Sequence, residues 1–284
     1  MYIVTHHAPD LDAITATWLI RRFLPNWKNA KIAFVPAGKT LKNEIVDSDP
    51  QVMHVDTGFG LLDHHQTSEH ICAATKTYAY LTQEVGNGGK GNKNSENWND
   101  EALDRMCEVV NFYDHFGEAG QTDAIADYHV FEAISILDGI KTVYPDDDSQ
   151  VMDFGFMMLD AIYKSMQEKI WAEEIMDEGI KFETQWGKGL GFETVNDGVL
   201  KYAQKSGFVV VLRKDPKKGY VRIKGLPGTR VDFTKAYEIL KLKDAQATWY
   251  LHSSKKILLN GTTKNPDMKP TILTLQNIID VLKS

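Results

Sequence analysis

Tyr2-Ile3-Val4-Thr5-His6-His7-Ala8-Pro9-Asp10-Leu11-Asp12 is the stretch that decides how this chain is read. Its opening is rich in β-forming residues and predicts a short strand over Tyr2–Thr5. Beyond it, Ile14, Trp18, Leu19 and Phe23 recur at helical spacing, which predicts a helix over Asp12–Phe23 with Asp10 and Asp12 around its start. Two histidines and two aspartates therefore fall where a strand ends and a helix begins. In an open α/β sheet, ligands bind at that kind of junction.

Working outward, strands are expected at Lys31–Pro36 and Val52–Asp56, with a short one at Gly60–His64, and helices at Thr40–Asp47, Ala73–Val85, Glu101–Phe116 and Ala124–Leu137. Alternation of this kind predicts an α/β fold, a mostly parallel sheet with flanking helices. Gly86–Asn99, dense in Gly, Asn and Lys and without periodicity, is expected to be a mobile loop. Val151–Glu183 carries Phe154, Met158, Ile162, Met166, Ile170 and Ile175 on or near one helical face, which predicts a long linking helix. Short β-like runs follow at Phe208–Arg213, Tyr220–Lys224, Ala247–His252 and Lys256–Leu259, with helices at Asp232–Lys241 and Leu275–Lys283. They predict a smaller C-terminal α+β domain. The expected division is 1–150 for a metal-binding domain, 151–184 for the link and 185–284 for a basic domain.

The composition is that of a soluble globular protein, 43% hydrophobic and 25% charged over 284 residues. No apolar run reaches the roughly 18–20 residues that span a bilayer, and the N-terminal residues lack the basic region of a signal peptide. Cys72 and Cys107 are far apart and form neither a disulfide framework nor a zinc motif, so a cytoplasmic protein is expected. The net charge of −7 is unevenly spread: residues 201–284 hold 17 Lys and Arg against 6 Asp and Glu, leaving 15 against 33 in residues 1–200. An acidic part suited to cations precedes a basic part suited to anions.

Four segments carry metal-type ligands: His6 to Asp12, Val55-Asp56-Thr57-Gly58, Leu62-Asp63-His64-His65-Gln66 and Tyr113-Asp114-His115. Singly, each has an ordinary explanation; Asp10 or Asp12 would simply cap the following helix. Together, in an order that brings strand ends to one sheet edge, they point to one site. Mixed carboxylates and imidazoles suit Mn²⁺ or Mg²⁺ better than thiolate-bound zinc.

On these motifs the chain resembles the DHH phosphoesterase superfamily: HHAPDLDA is similar to its first motif, HVDTG to its second, LDHHQ to its third and the Asp of YDHF to its fourth. The resemblance implies two metal ions, one on His6, Asp10 and Asp56, the other on Asp12, Asp56, His64 and Asp114, with Asp56 bridging. It implies His65 turned toward substrate and Asp63 positioning the histidines. Within the superfamily, DHHQ and the C-terminal Trp249-Tyr250-Leu251-His252-Ser253-Ser254-Lys255 and Leu259-Asn260-Gly261-Thr262 are similar to the melanocyte-proliferating-gene family of 3′–5′ RNA exonucleases. RNA or a short oligonucleotide is then the implied substrate, no membrane is involved, and a homodimer is compatible. Candidate phosphate contacts are His252, Ser253, Lys255, Asn260 and Gly261, with Arg222 and Arg230 as a backbone track. Two rivals stand beside this reading: a phosphatase acting on pyrophosphate or a small nucleotide, and a nucleotide-binding regulatory module without activity.

Overall fold

In the computed structural model, which describes residues 1–86, 100–262 and 265–283, the quoted stretch forms β1 (Tyr2–His6) and the entry to α1 (Leu11–Phe23). β2 (Lys31–Val35) and β3 (Val52–His54) pair with β1 on either side, both parallel to it, so β1 is central in a sheet of order β2-β1-β3. The third motif extends this edge without a strand of its own: Val55 and Leu62 form an isolated parallel bridge. All the carboxyl ends of this sheet consequently point the same way.

Helices α2 (Ala73–Gly86), α3 (Glu101–Asp114) and α4 (Ala133–Val143) follow, then α5 (Asp148–Asp177). Every α1 residue from Asp12 to Ile20 is buried. Ile14, Trp18 and Leu19 face a core shared with α2, α3 and α5, while Ala16 and Ile20 join Ile3 and Val55 of the sheet region. Burial on both sides holds α1 rigidly, and so fixes its first turn. Contacts divide the chain into two units, Met1–Met166 and Gln167–Ser284, the division falling inside α5.

The second unit contains β4 (Ile180–Thr184), β5 (Gly187–Glu193), α6 (Val199–Lys205), β6 (Val210–Lys214), β7 (Val221–Gly225), α7 (Thr234–Lys243), β8 (Trp249–Leu251), β9 (Ile257–Asn260) and α8 (Leu275–Lys283). Its six-stranded sheet has the order β4-β5-β6-β7-β9-β8, with only β5 and β6 parallel. Alternation along β6 covers both faces. Val210 and Leu212 belong to the core under α7 and α8, and Val211 to the one under α6.

Four expected elements differ, one being the short strand expected at Gly60–His64, which amounts to the single Val55–Leu62 bridge because the segment turns at once into the Asp63-capped loop. The helix expected at Thr40–Asp47 is a single 3₁₀ turn, Leu41–Asn43, with Lys42, Asn43 and Asp47 in left-handed conformation. Its amides have other partners, Leu41 N–H donating to His54 Nε2. The helix expected at Ala124–Leu137 begins only at Ala133, because Ile125, Val130 and Phe131 stay exposed and no burial supports a helix there. The long helix ends at Asp177 rather than Glu183. Gly179 lies against Leu190, where any side chain would collide, and Gly187 at φ 126 turns β4 back into β5. The stretch 87–99 lies outside the described residues, and with it nearly all of the expected loop. Among the described residues no helix is long and apolar enough to cross a membrane.

Candidate metal centre

The site is assembled at the carboxyl edge of the parallel sheet. His6 is the last residue of β1, and its Nδ1 donates to the His7 carbonyl at 2.8 Å. That bond leaves Nε2 turned inward, 3.2 Å from Asp56 Oδ2 and 3.9 Å from Asp10 Oδ2. Asp10 divides its oxygens: Oδ1 caps α1 by accepting from Ala13 N, and Oδ2 faces His6. One Asp10 side chain thus caps α1 and still turns an oxygen toward His6.

Asp12, only 1% exposed, reaches across to α2. Its Oδ2 and Oδ1 accept from Ala73 N and Ala74 N, both at 2.7 Å, so it caps a helix 61 residues away in sequence. Its Oδ2 is also 3.6 Å from His64 Nε2. Burial and the charges of Asp56 and Asp10 push the Asp12 carboxyl well above the usual range, with the α2 amides working against them. A cation in the site would reverse that balance.

Asp56 follows β3 in a left-handed conformation, φ 53, and is 3% exposed. Burial opposes its charge, but contacts with the imidazoles of His6 and His64 outweigh burial and hold it at about 2. Its Oδ2 faces His6. Its Oδ1 is fully buried and makes no hydrogen bond of good geometry, with His64 Nε2 at 3.3 Å and His65 Nδ1 at 3.5 Å facing it. His64 Nε2 also lies 3.8 Å from Asp114 Oδ2 at the end of α3. Burial raises Asp114, countered by the charge of His64. For His64 itself the contact with Asp56 exceeds the effect of burial and lifts it to about 9. His6 also rises to about 9, burial being overcome by Asp56, the His7 carbonyl and Asp10.

His6, Asp10 and Asp56 bring ligand atoms within 4.8 Å of one another, as do Asp12, His64 and Asp114, and also Asp56, His64 and His65. Asp56 thus presents one oxygen to each histidine, His6 and His64. The donor set is oxygen and imidazole without sulfur; Cys72 and Cys107 are buried free thiols. The orphaned Asp56 Oδ1 and this donor chemistry both fit a hard or borderline divalent cation.

Asp63 is not at the ligand cluster in the same sense. Its Oδ2 accepts from Phe59 N at 2.6 Å, and its Oδ1 from His65 N and from His65 Nδ1 at 2.8 Å, while its carbonyl accepts from Lys76 Nζ. It closes the turn of the third motif and sets the His65 ring, leaving His65 Nε2 free. A cavity of about 370 Å³ opens here, lined by His6, Asp10, Asp56, Asp63, His65 and Asp114 together with Ala37, Gly38 and Phe59.

Sequence reasoning missed three supports. Asp148 at the start of α5 accepts from His7 Nδ1 at 2.7 Å and from Ala8 N at 2.8 Å, gripping the turn between His6 and Asp10. Buried His54 anchors the segment leading out of the cavity wall. His70 and His115 stack 3.8 Å apart beside Asn111, which donates to His70. Asp148 and His70 lie outside the quoted motifs, and although His54 opens HVDTG and His115 follows Asp114, residue type and spacing did not mark either as a support.

The residues expected to contact phosphate do not gather in one place. Arg222 and Gly261 line a cavity of about 320 Å³ in the second unit, with Arg213, Lys217 and Lys218. Arg222 is paired with Asp197. His252, Ser253 and Lys255 lie on the turn between β8 and β9, where His252 Nδ1 contacts Ser254 Oγ and Lys255 pairs with Asp232. Asn260 is fully buried, its amide donating to the Thr248 and Lys269 carbonyls, so it has no donor left for a ligand. Arg230 is exposed in the segment between β7 and α7.

No family model matches the chain, and no curated protein matches it. Among solved structures, a candidate family II inorganic pyrophosphatase from Methanococcus jannaschii aligns over 100% of both chains at 15% identity and a TM-score of 0.23. A likeness that weak carries no argument, and the reading of this site rests on its own geometry.

Proposed function

We propose that the chain is a divalent-metal-dependent phosphoesterase that hydrolyses phosphodiesters of RNA or short oligonucleotides. The observation that carries this reading is Asp56. It is a buried carboxylate with one oxygen on His6, the other on the His64 side, and no good hydrogen bond to the second. His6, Asp10 and Asp56 would hold one Mn²⁺ or Mg²⁺, and Asp12, His64 and Asp114 with Asp56 a second. Bound there, the ions supply Lewis acidity and an activated water.

The chain's own residues do the rest. Asp56 and Asp12 are withdrawn from solvent and fix the inner part of the ligand set, while Asp10 and His65 face the cavity. Asp63 accepts from His65 Nδ1–H and so holds the ring; with that tautomer Nε2 would take a proton as a base, and once the ring is imidazolium its Nε2–H would donate to a phosphate or leaving oxygen. The Lys and Arg excess falls after residue 200; in the cavity of the second unit Arg213 and Arg222 are paired with Asp197, and Lys217 and Lys218 beside them suit the anionic backbone of an oligonucleotide.

The test is a panel of labelled short RNA, a dinucleotide, a nucleoside monophosphate and inorganic pyrophosphate, with Mn²⁺ or Mg²⁺, on wild type and Asp56→Asn. Diester cleavage that the variant loses by a thousandfold or so supports the reading. Turnover of pyrophosphate alone replaces it with the phosphatase, and no turnover of any substrate leaves a binding module.

A further inference from the structure

Phe59 has no structural reason to be where it is. It is 57% exposed and belongs to none of the hydrophobic clusters among the described residues. Its backbone is left-handed at φ 59, a conformation that costs a bulky residue energy and that its neighbour Gly58, at φ 81, adopts freely. The turn is nevertheless held firmly, since buried Asp63 accepts the Phe59 N–H at 2.6 Å. The same Asp63 holds His65, so the backbone of Phe59 and the candidate catalytic imidazole are anchored to one carboxylate.

The ring's position is equally specific. It forms part of the wall of the 370 Å³ cavity that His6, Asp10 and Asp56 also line. One edge rests on Gly38, where an added Cβ would lie 3.3 Å from Phe59 Cε2 and Cζ. Gly38 is itself left-handed, at φ 73, and Ala37 beside it is small, so the backbone leaves the aromatic surface uncovered. An exposed aromatic ring lining the same cavity as a polar, metal-type ligand set suits a base next to a phosphate, because every base has a π-face. A cavity of this size lies in the range that accepts a small organic ligand, about 300–1,000 Å³.

We propose that Phe59 is the specificity residue of this site, a stacking platform for the nucleobase adjacent to the phosphate being cleaved. The proposal rests on the phosphoesterase reading for its phosphate, but it is testable by binding alone. Affinities of adenosine 5′-monophosphate and of methyl phosphate are measured by calorimetry on the full chain with Mg²⁺ present, for wild type, Phe59→Tyr, Phe59→Leu and Phe59→Ala. Hydrolysis of a dinucleotide is followed in parallel. The expected result is a preference for the nucleotide that Phe59→Tyr retains and that Phe59→Leu and Phe59→Ala each reduce by roughly tenfold. Leu keeps apolar bulk in the same turn, so a loss shared by Leu and Ala but not Tyr reports the ring rather than the fold. If Leu retains the preference, or Tyr loses it as fully as Ala does, the platform is overturned even where the dinucleotide is cleaved. A ring-dependent preference without hydrolysis upholds the platform and sinks the phosphoesterase reading instead.

Discussion

His6 and His64 both turn Nε2 toward the buried carboxylate of Asp56. Each imidazole faces Asp56 and is raised to about 9, so both carry protons at neutral pH in the metal-free protein. A cation must displace those protons from the inward nitrogens. Mn²⁺ titrated calorimetrically at pH 7 in buffers of different ionisation heat is therefore expected to release about two protons per site. Affinity should rise with pH up to about 9. The sign for stability is opposite. A histidine raised from 6.5 to about 9 stabilises the metal-free fold fully below 6.5, and that contribution is lost as pH climbs through 9. Melting temperatures should accordingly fall with rising pH in chelator and hold or rise with Mn²⁺; parallel profiles, or binding without proton release, would refute the assignment of His6 and His64. At this scale the sequence was highly legible. The six proposed ligands sit in short segments whose residue types declare their chemistry. Phe59 was not, because a lone Phe in a glycine turn has no pattern, and only its exposure on the cavity wall gives it meaning.

Elements position these residues through contacts that sequence spacing does not encode. Asp12 is on α1 but caps α2, and Asp148 on α5 grips the turn after β1. The turn needs gripping, because Ala8 within it is left-handed at φ 50. Asp148→Ala removes both acceptors at once. It is expected to weaken Mn²⁺ binding by about 10–100-fold with the far-ultraviolet dichroism unchanged, while Asp148→Asn, which keeps an acceptor for Ala8 N–H, loses less. Unaltered affinity in Asp148→Ala would show that the turn holds without it. Elements with strong periodicity, such as α1, α2, α3 and α8, were legible because the buried stripe is local information. The β4–β5 hairpin was not. Its strands continue the apolar spacing of α5, and the break depends on Gly179 meeting Leu190, a contact made only once the sheet exists.

The molecule as a whole separates its charges by unit, the cation-type ligands all lying before residue 167 and the dense Lys and Arg after 200. Hydrogen exchange of the full chain should therefore show metal-induced protection in peptides covering 3–14, 54–66, 72–76 and 110–116, and little change from 200 to 283. Protection concentrated in the second unit would place the ions elsewhere. The sequence by itself determined the strand-to-helix junction at His6–Asp12, the α/β character of the first unit and the identity of the metal-type residues. These follow from local residue type and periodicity, which act over a few residues. Only the tertiary structure decided that Asp56 offers an oxygen to each histidine, that Asp63 sets both His65 and Phe59, and that Asn260 is consumed by its own backbone neighbours. Those outcomes depend on distances between segments far apart in the chain, and such distances exist only when the sheet and its covering helices have packed.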